Sequence, residues 1–423
     1  MHLALVAVLA GSAGCSGGAS GADRVDGASG TPPPAPAPAP APAPAKAFDP
    51  PAKFGEGIAL PVDEDVKEWG FALLGPRLYH RTSEALDAYD TRSGRKLWSS
   101  PLGREDWYTG KEGVPSDDQT IPPVFAVQQD GRTGVLFAYA DRTKGAGTGA
   151  DRTDVHLRSV DADSGKVSWT VRLPAPKGAA VGDLEPAVIG AEGGTAAVRV
   201  LTDRDDSGGS DSGQSATTYA VGLKTRQVTW QEDGFAGGAL DSGVVIGTRL
   251  GAEATFRAID GWHTRREDLA LAGLALADGS PRWKQEGRAS VEVERVGGGF
   301  FVAGSLRDSR TGELVPSAPD GSFIHCFDDR RSVIVCDTEE TARGIDAPSR
   351  KVLWTVSEGD PARKKPEVQN AFHGAVYAGT GAGGVVLDAR TGKDRGLYDG
   401  AGTYAVNEYA AVGIDMKVYP AAG

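Results

Sequence analysis

The three cysteines and six histidines of the chain are the first places to look for chemistry. Cys15, Cys326 and Cys336 are too few for a four-thiolate zinc site or a dense disulfide framework. His2, His80, His156, His263, His325 and His373 are scattered, without His-x-His or His-Glu-x-x-His spacing, so no imidazole metal centre is expected. Gly379-Thr380-Gly381-Ala382-Gly383-Gly384 satisfies G-x-G-x-x-G, but it leads into the strand-like GVVLDA. Phosphate binding needs a helix N-terminus at that point, so a hairpin loop is expected instead. Asp203, Asp205, Asp206 and Asp211 crowd the segment TDRDDSGGSDSG (202–213), whose carboxylates could hold calcium. EF-hand spacing is missing, and a solvated loop is the simpler expectation. What remains is recognition chemistry: Trp107 and Tyr108 in segment 100–121, and Trp262, His263, Arg265 and Arg266 in segment 258–268. Aromatic and arginine side chains on loops are the usual material of binding hot spots. The alternative is that Trp107 and Trp262 pack locally and order their own loops.

The elements that position these residues follow from composition. Glycine and proline are 59 and 26 of 423 residues, about a fifth of the chain, which suits many short strands joined by turns. Lys plus Arg is 45 against 57 Asp plus Glu, a net charge of −12 without a basic block, which argues against nucleic acid as a partner. No apolar run after residue 14 approaches the ~20 residues that a membrane-spanning helix needs.

The first residues carry an address. LALVAVLA (3–10) is long enough for a signal-peptide core and too short for a stable span. Ser12-Ala13-Gly14-Cys15 resembles a bacterial lipobox, which makes residues 1–14 a lipoprotein signal peptide and Cys15 the lipidated N-terminus. Two features depart from that pattern: Ser12 stands where Leu is usual, and the charged leader is missing, as it would be if the start codon lay further upstream. Acyl chains at ~0.8 kcal/mol per buried CH₂ would hold the protein to a membrane without a spanning helix. Residues 15–53 then read as a tether, rich in Gly and Ser first and PPPAPAPAPAPAPA at 32–45. The prolines favour extended polyproline II at roughly 3.1 Å per residue.

Beyond the tether the chain repeats itself. LDAYDTRSGRKLW (86–98), LRSVDADSGKVSW (157–169), TYAVGLKTRQVTW (218–230), LAGLALADGSPRW (271–283) and ARGIDAPSRKVLW (342–354) align without gaps. GSLRDSRTGELVP (304–316) and GVVLDARTGKDRG (384–396) fit the same thirteen-residue frame without its final Trp. Asp90, Asp161, Asp308, Asp346 and Asp388 stand fifth, and Gly94, Gly165, Gly279, Gly312 and Gly392 ninth. Trp98, Trp169, Trp230, Trp283 and Trp354 stand last. The frames that end in Trp read as a strand with a small third residue and an apolar fourth, then a tight turn, then an antiparallel strand. Asp accepts backbone N–H groups in the turn and Gly supplies its positive φ. A lone hairpin is unstable, so each must stack on a neighbour, and a Trp side chain buries 150–250 Å² in doing so.

This Asp-x-x-x-Gly-x-x-x-Trp unit after an apolar strand resembles the repeat of the PQQ-type, quinoprotein-like β-propellers. The resemblance covers residues 54–423 and implies an all-β fold, a single β-propeller of four-stranded antiparallel blades. Seven frames give seven outer hairpins, and TYAVNEY, AAVGID and KVYP after residue 396 supply three more strands. The early strand GEGIALPV (55–62) would complete that last blade and close the ring, for eight blades in all; seven is the alternative, because 33 residues between Trp283 and Pro316 are crowded for four strands. In such a blade Cys326 and Cys336, within SFIHCFDDRRSVIVCD, would lie on the inner two strands, close enough to bridge once Cys15 is lipidated. Two buried thiols are the alternative.

Quinoprotein dehydrogenases of this fold carry adjacent cysteines over the quinone and a calcium set beneath it. Neither can be placed on this sequence, so no cofactor is expected. The layout of lipidated cysteine, linker and propeller is similar to the noncatalytic, eight-bladed lipoprotein of the bacterial outer-membrane protein assembly machine. The expectation is therefore a monomeric, membrane-anchored, extracytoplasmic scaffold that binds an envelope protein or ligand. A PQQ-dependent dehydrogenase or another propeller-class enzyme is the alternative. In a propeller the connections between second and third strands share a face with those between blades, so the long segments 141–154, 202–215 and 258–268 would gather there.

Overall fold

The computed structural model describes residues 45–60, 70–82, 85–102, 124–129, 131–143, 145–149, 152–176, 184–203, 214–250, 255–257, 261–263, 269–286, 293–319, 324–381, 383–398, 402–413 and 415–423. The signal peptide, Cys15 and the tether to residue 44 lie outside them. Within the compact unit Ala45–Gly423 every regular element described is a strand.

Consecutive strands pair antiparallel into eight sheets, taken here as blades 1 to 8. Blade 1 spans Gly70–Leu74 to Lys96–Pro101, blade 2 Phe125–Gln129 to Val167–Leu173, and blade 3 Leu184–Glu192 to Gln227–Asp233. Blade 4 runs from Phe235–Asp241 to Pro281–Glu286, blade 6 from His325–Asp328 to Val352–Ser357, and blade 7 from Glu367–Phe372 to Asp394–Tyr398. Blade 5 has three strands, Glu294–Gly297, Phe300–Val302 and Leu306–Asp308, and its fourth is reduced to the single bridge Arg307↔Leu314. Blade 8 takes Thr403–Val406, Ala410–Gly413 and Lys417–Pro420 from the end of the chain and Ile58–Ala59 from its beginning. The crowding between Trp283 and Pro316 thus costs one strand and leaves the count at eight.

The first strands of successive blades touch one another in order, and Thr403–Val406 touches Gly70–Leu74 to close the ring. Asn407 Nδ2 reinforces that seam by donating to the Gly75 carbonyl at 2.8 Å. Radial repetition leaves each blade only short strand edges, in place of one long open edge at which other chains could pair. Apolar side chains collect between neighbouring blades, with at least one cluster at each of the eight interfaces. The stability of the wheel therefore rests on contacts between blades.

Those contacts explain the repeat. The small third residue stands cross-strand from the Trp: Ala88↔Trp98, Ser159↔Trp169, Ala220↔Trp230, Gly273↔Trp283 and Gly344↔Trp354. Lacking bulk, it lets the indole lie across the sheet and lean on the next blade. There the ring meets the ninth residue of the next frame: a Cβ on Gly165, Gly312 or Gly392 would come within 2.6 Å of Trp98, Trp283 or Trp354 respectively. The indole N–H completes the lock by donating to the carbonyl of the sixth residue of that frame. Trp98 donates to Ala162 at 3.3 Å, Trp230 to Leu276 at 2.8 Å, Trp283 to Ser309 at 3.0 Å and Trp354 to Ala389 at 2.7 Å. At the closing seam Ile58 of the early strand fills the Trp position, 2.5 Å from where a Gly94 Cβ would stand.

The ninth residue is left-handed whether or not it is glycine: Gly165 has φ 70° and Gly392 65°, but Arg226 and Arg350 stand in the same slot at 57°. At the fifth position Asp161 takes N–H and O–H of Ser164 at 2.9 and 2.6 Å, and Asp346 takes those of Ser349 at 3.0 and 2.6 Å. These bonds hold both carboxyls below the ordinary carboxylate range. Blade 5 departs again: its fourth frame position, apolar elsewhere, is Arg307, buried and donating to Gln285 Oε1 and the Gly312 carbonyl at 2.9 Å each.

Cys326 and Cys336 form a disulfide between directly paired positions of the first and second strands of blade 6, with Cα atoms 4.1 Å apart. The bridge packs into the interface with blade 5.

Two outcomes test the lock. Gly165→Ala is expected to cost about 2–4 kcal/mol in denaturant titration, because the positive φ and the Trp98 contact are both disturbed. Gly131→Ala, with φ 75° and nothing within 4 Å of its Cβ, should cost only about 1–2 kcal/mol. For the turns, a carboxyl depressed in the folded state stabilises above its unfolded pKa near 3.9 and loses that contribution as pH falls through the lower, folded value. The unfolding midpoint should therefore drop as pH falls from about 5 toward 2, and Asp161→Asn with Asp346→Asn should flatten that slope.

Candidate functional site

Antiparallel strand order divides the loops between two faces. Turns joining first to second and third to fourth strands lie on one, here the turn face; second-to-third connections and those between blades lie on the other, the loop face. The three long connections occur where the sequence places them. Blade 2 runs from Thr143 to Arg152 and blade 3 from Asp203 to Gln214. Blade 4 inserts a hairpin, Thr255–Arg257 with Gly261–His263, between its second and third strands. Trp262 and His263 sit on that hairpin, in register with Phe256 and Thr255. Trp107, Tyr108, Arg265 and Arg266 lie outside the described residues, as do Asp205, Asp206 and Asp211. The G-x-G-x-x-G segment is a hairpin connection between Ala375–Thr380 and Gly383–Asp388.

A cleft of about 690 Å³ opens on the loop face between blades 6 and 7. Its wall carries Asp337, Glu339, Glu358 and Glu367, against which stand one lysine, Lys365, and one histidine, His325. At its base Lys365 Nζ lies 2.7 Å from Asp337 Oδ1, with both side chains nearly buried (8% and 11% exposed). The other oxygen of Asp337 accepts the Val368 N–H at 3.2 Å. Burial pushes the Asp337 carboxyl above its ordinary value, and the ammonium offsets this only in part. The glycines of the 379–384 hairpin line one side, where their missing side chains leave the wall open, and Gly384 is held small by the Tyr398 ring. The cleft suits a cationic group that neutralises its carboxylates.

On the turn face a second cleft, of about 510 Å³, lies between blades 5 and 6. Here the Trp lock is missing: frame five ends in Pro316, and Arg350 occupies the slot that would otherwise be glycine. The Arg350 guanidinium pairs with Asp308 and stacks over Phe300, so it fills part of the space that the absent indole leaves. Burial raises the carboxyl of Asp328, also in this wall.

The compact unit begins on the turn face. Phe48 N–H donates to the Glu408 carbonyl at 2.7 Å, Asp49 pairs with His373 and with Arg331, and the Tyr377 hydroxyl donates to the Pro51 carbonyl at 2.7 Å. His373, Arg331 and Glu408 all belong to first-to-second-strand turns. Residues 45–53, part of the tether in the sequence, are thus bound to the propeller.

Neither cleft was visible in the sequence. The acidic wall gathers residues 325–402, and no local spacing marks them as a set. The arginine cleft did leave one trace, the joint loss of Trp at 316 and Gly at 350.

Fold and clefts together define an eight-bladed β-propeller with opposite charge on its two faces between blades 5 and 7. No family model and no curated protein matches the chain. Among solved structures, a europium-containing methanol dehydrogenase aligns over 86% of this chain and 83% of its own, at 13% identity and a TM-score of 0.42. Similarity at that level transfers nothing about activity. Among the described residues no group of three or more His, Cys, Asp or Glu is arranged to hold a metal ion.

The buried pair gives the test of this site. Lys365→Met should cost about 3–5 kcal/mol in urea unfolding, since it strands the Asp337 charge, and adding Asp337→Asn should recover most of that while keeping an acceptor for Val368.

Proposed function

We propose that the protein is a noncatalytic, lipid-anchored scaffold on the extracytoplasmic side of the membrane, which binds an envelope partner through its loop face. The observation that carries this is a coincidence of place: the three long second-to-third-strand connections and the 690 Å³ acidic cleft share one face. The compact unit begins on the opposite face, where Phe48, Asp49 and Pro51 contact the turns and Tyr377. Carboxylates around the cleft favour a partner that offers a lysine, an arginine or an amine, and the aromatic and arginine residues of segments 100–121 and 258–268 would supply contact area.

Cys15→Ser should release the protein from the membrane fraction and abolish labelling by a fatty-acid probe; retention with labelling intact would exclude lipidation at Cys15. Crosslinking in intact cells followed by mass spectrometry should recover a partner with the native protein. The triple variant Trp107→Ala, Trp262→Ala, Arg265→Ala should lose it while its unfolding midpoint holds. Unchanged recovery would remove the loop face as the binding surface. Mixing the protein with PQQ and calcium should leave its visible spectrum featureless, whereas a bound chromophore would favour the dehydrogenase alternative.

A further inference from the structure

We infer that the cleft between blades 5 and 6 on the turn face is a binding site for a phosphate-class oxyanion, a phosphomonoester or phosphodiester. Its wall carries four arginines, Arg310, Arg330, Arg331 and Arg350, against two aspartates, Asp308 and Asp328. Both aspartates are already engaged. Asp308 Oδ1 accepts the N–H groups of Arg310 and Thr311 at 2.8 and 3.0 Å while its other oxygen pairs with Arg350. Asp328 Oδ1 accepts the Arg330 N–H at 2.9 Å. Arg331 pairs with Asp49. The side chains of Arg310 and Arg330, by contrast, make no ion pair or hydrogen bond among the described residues, and both are exposed. Arg330 lies over the Phe372 ring, a contact that leaves its N–H edge open. Two uncommitted guanidinium forks on one concave wall are suited to the bidentate geometry of phosphate oxygens.

The turn that presents Arg330 is rigid. Asp329, 1% exposed, accepts the N–H groups of Arg331, Ser332 and Val333 at 2.9, 2.7 and 2.8 Å, and its own N–H donates to the Val333 carbonyl. Within this turn Arg330 itself adopts φ 58°, a conformation that glycine would adopt without cost. The cavity exists because at this interface the indole lock is absent and Arg350 has taken the place of glycine. Its volume falls within the ordinary range for small-molecule sites.

A lipid headgroup and a free phosphate are both sources of the same chemistry. Calorimetry on the purified full-length protein with inorganic phosphate and glycerol 3-phosphate, and co-flotation with phosphatidylglycerol vesicles against phosphatidylcholine vesicles on protein lacking its acyl anchor (Cys15→Ser), separate the two. Saturable binding of the soluble phosphates identifies a free ligand, and flotation with phosphatidylglycerol alone identifies the headgroup. In either case Arg310→Gln should weaken binding at least about tenfold. Arg330→Gly should weaken it similarly while leaving the unfolding midpoint equal or higher, since it relieves the strained φ. Arg363→Gln, a half-buried arginine between blades 6 and 7 paired with Asp394, should change neither. Failure of both soluble phosphates and phosphatidylglycerol to bind at millimolar concentration would overturn the inference, as would full binding by Arg330→Gly.

Discussion

The contact between a tryptophan on the fourth strand of one blade and the glycine turn between the third and fourth strands of the next is the interaction on which this molecule depends. A four-stranded sheet with two apolar faces is not stable by itself, and a ring of such sheets holds only if each interface has a defined register. The indole sets that register in two ways. Its face requires a residue without a side chain opposite, and its N–H requires a carbonyl at one height on the neighbouring blade. In the five frames that end in Trp, the small third residue and the terminal Trp, with the left-handed ninth residue of the following frame, are therefore parts of one device.

Each departure from the device is compensated locally. Between blades 2 and 3 Arg226 takes the glycine slot, and Trp169 instead donates to Gln129 Oε1 at 3.2 Å; Gln129 Nε2 in turn reaches the Leu223 carbonyl at 2.8 Å, so a side-chain amide relays the missing bond. Between blades 7 and 8 the frame ends in Gly396, and Phe54 packs against Tyr377 and Tyr398 with centroids 5.8 and 5.7 Å away. Between blades 5 and 6 the compensation is ionic, Arg350 with Asp308, and it fills the space incompletely. The Cys326–Cys336 bridge lies against this same interface, where the packing lock is missing. Structural irregularity and candidate chemistry coincide there because the apolar seal has been given up on the turn face and charged side chains line the space it leaves.

The two faces divide the remaining work. Long connections lie where the chain passes from second to third strand, away from the turns that carry the interblade lock. The short turns of the other face are held by aspartates and cannot lengthen without losing the bonds that shape them. The acidic cleft and the arginine cleft sit on opposite sides of blade 6, so the two ligands they suit would approach from opposite directions.

The repeat was legible in the sequence because its parts are local: thirteen residues carry the strand, the turn and the docking side chain, so their spacing survives as a pattern. The closing role of the early strand and the pairing of Cys326 with Cys336 were legible too, since a ring leaves one blade to be completed and a four-stranded blade sets which strands are neighbours. Blade 5 was visible only as crowding; its loss of a fourth strand and its buried Arg307 needed coordinates, because burial depends on what the next blade presents. The long loops could be assigned to a face, as strand direction alone decides that. The clefts could not be seen. Glu358 and Gly379, or Phe300 and Arg350, are distant in sequence and meet only when separate blades are set side by side. Local bonding is written in short spacings, whereas a site made from two blades exists only once the ring has closed.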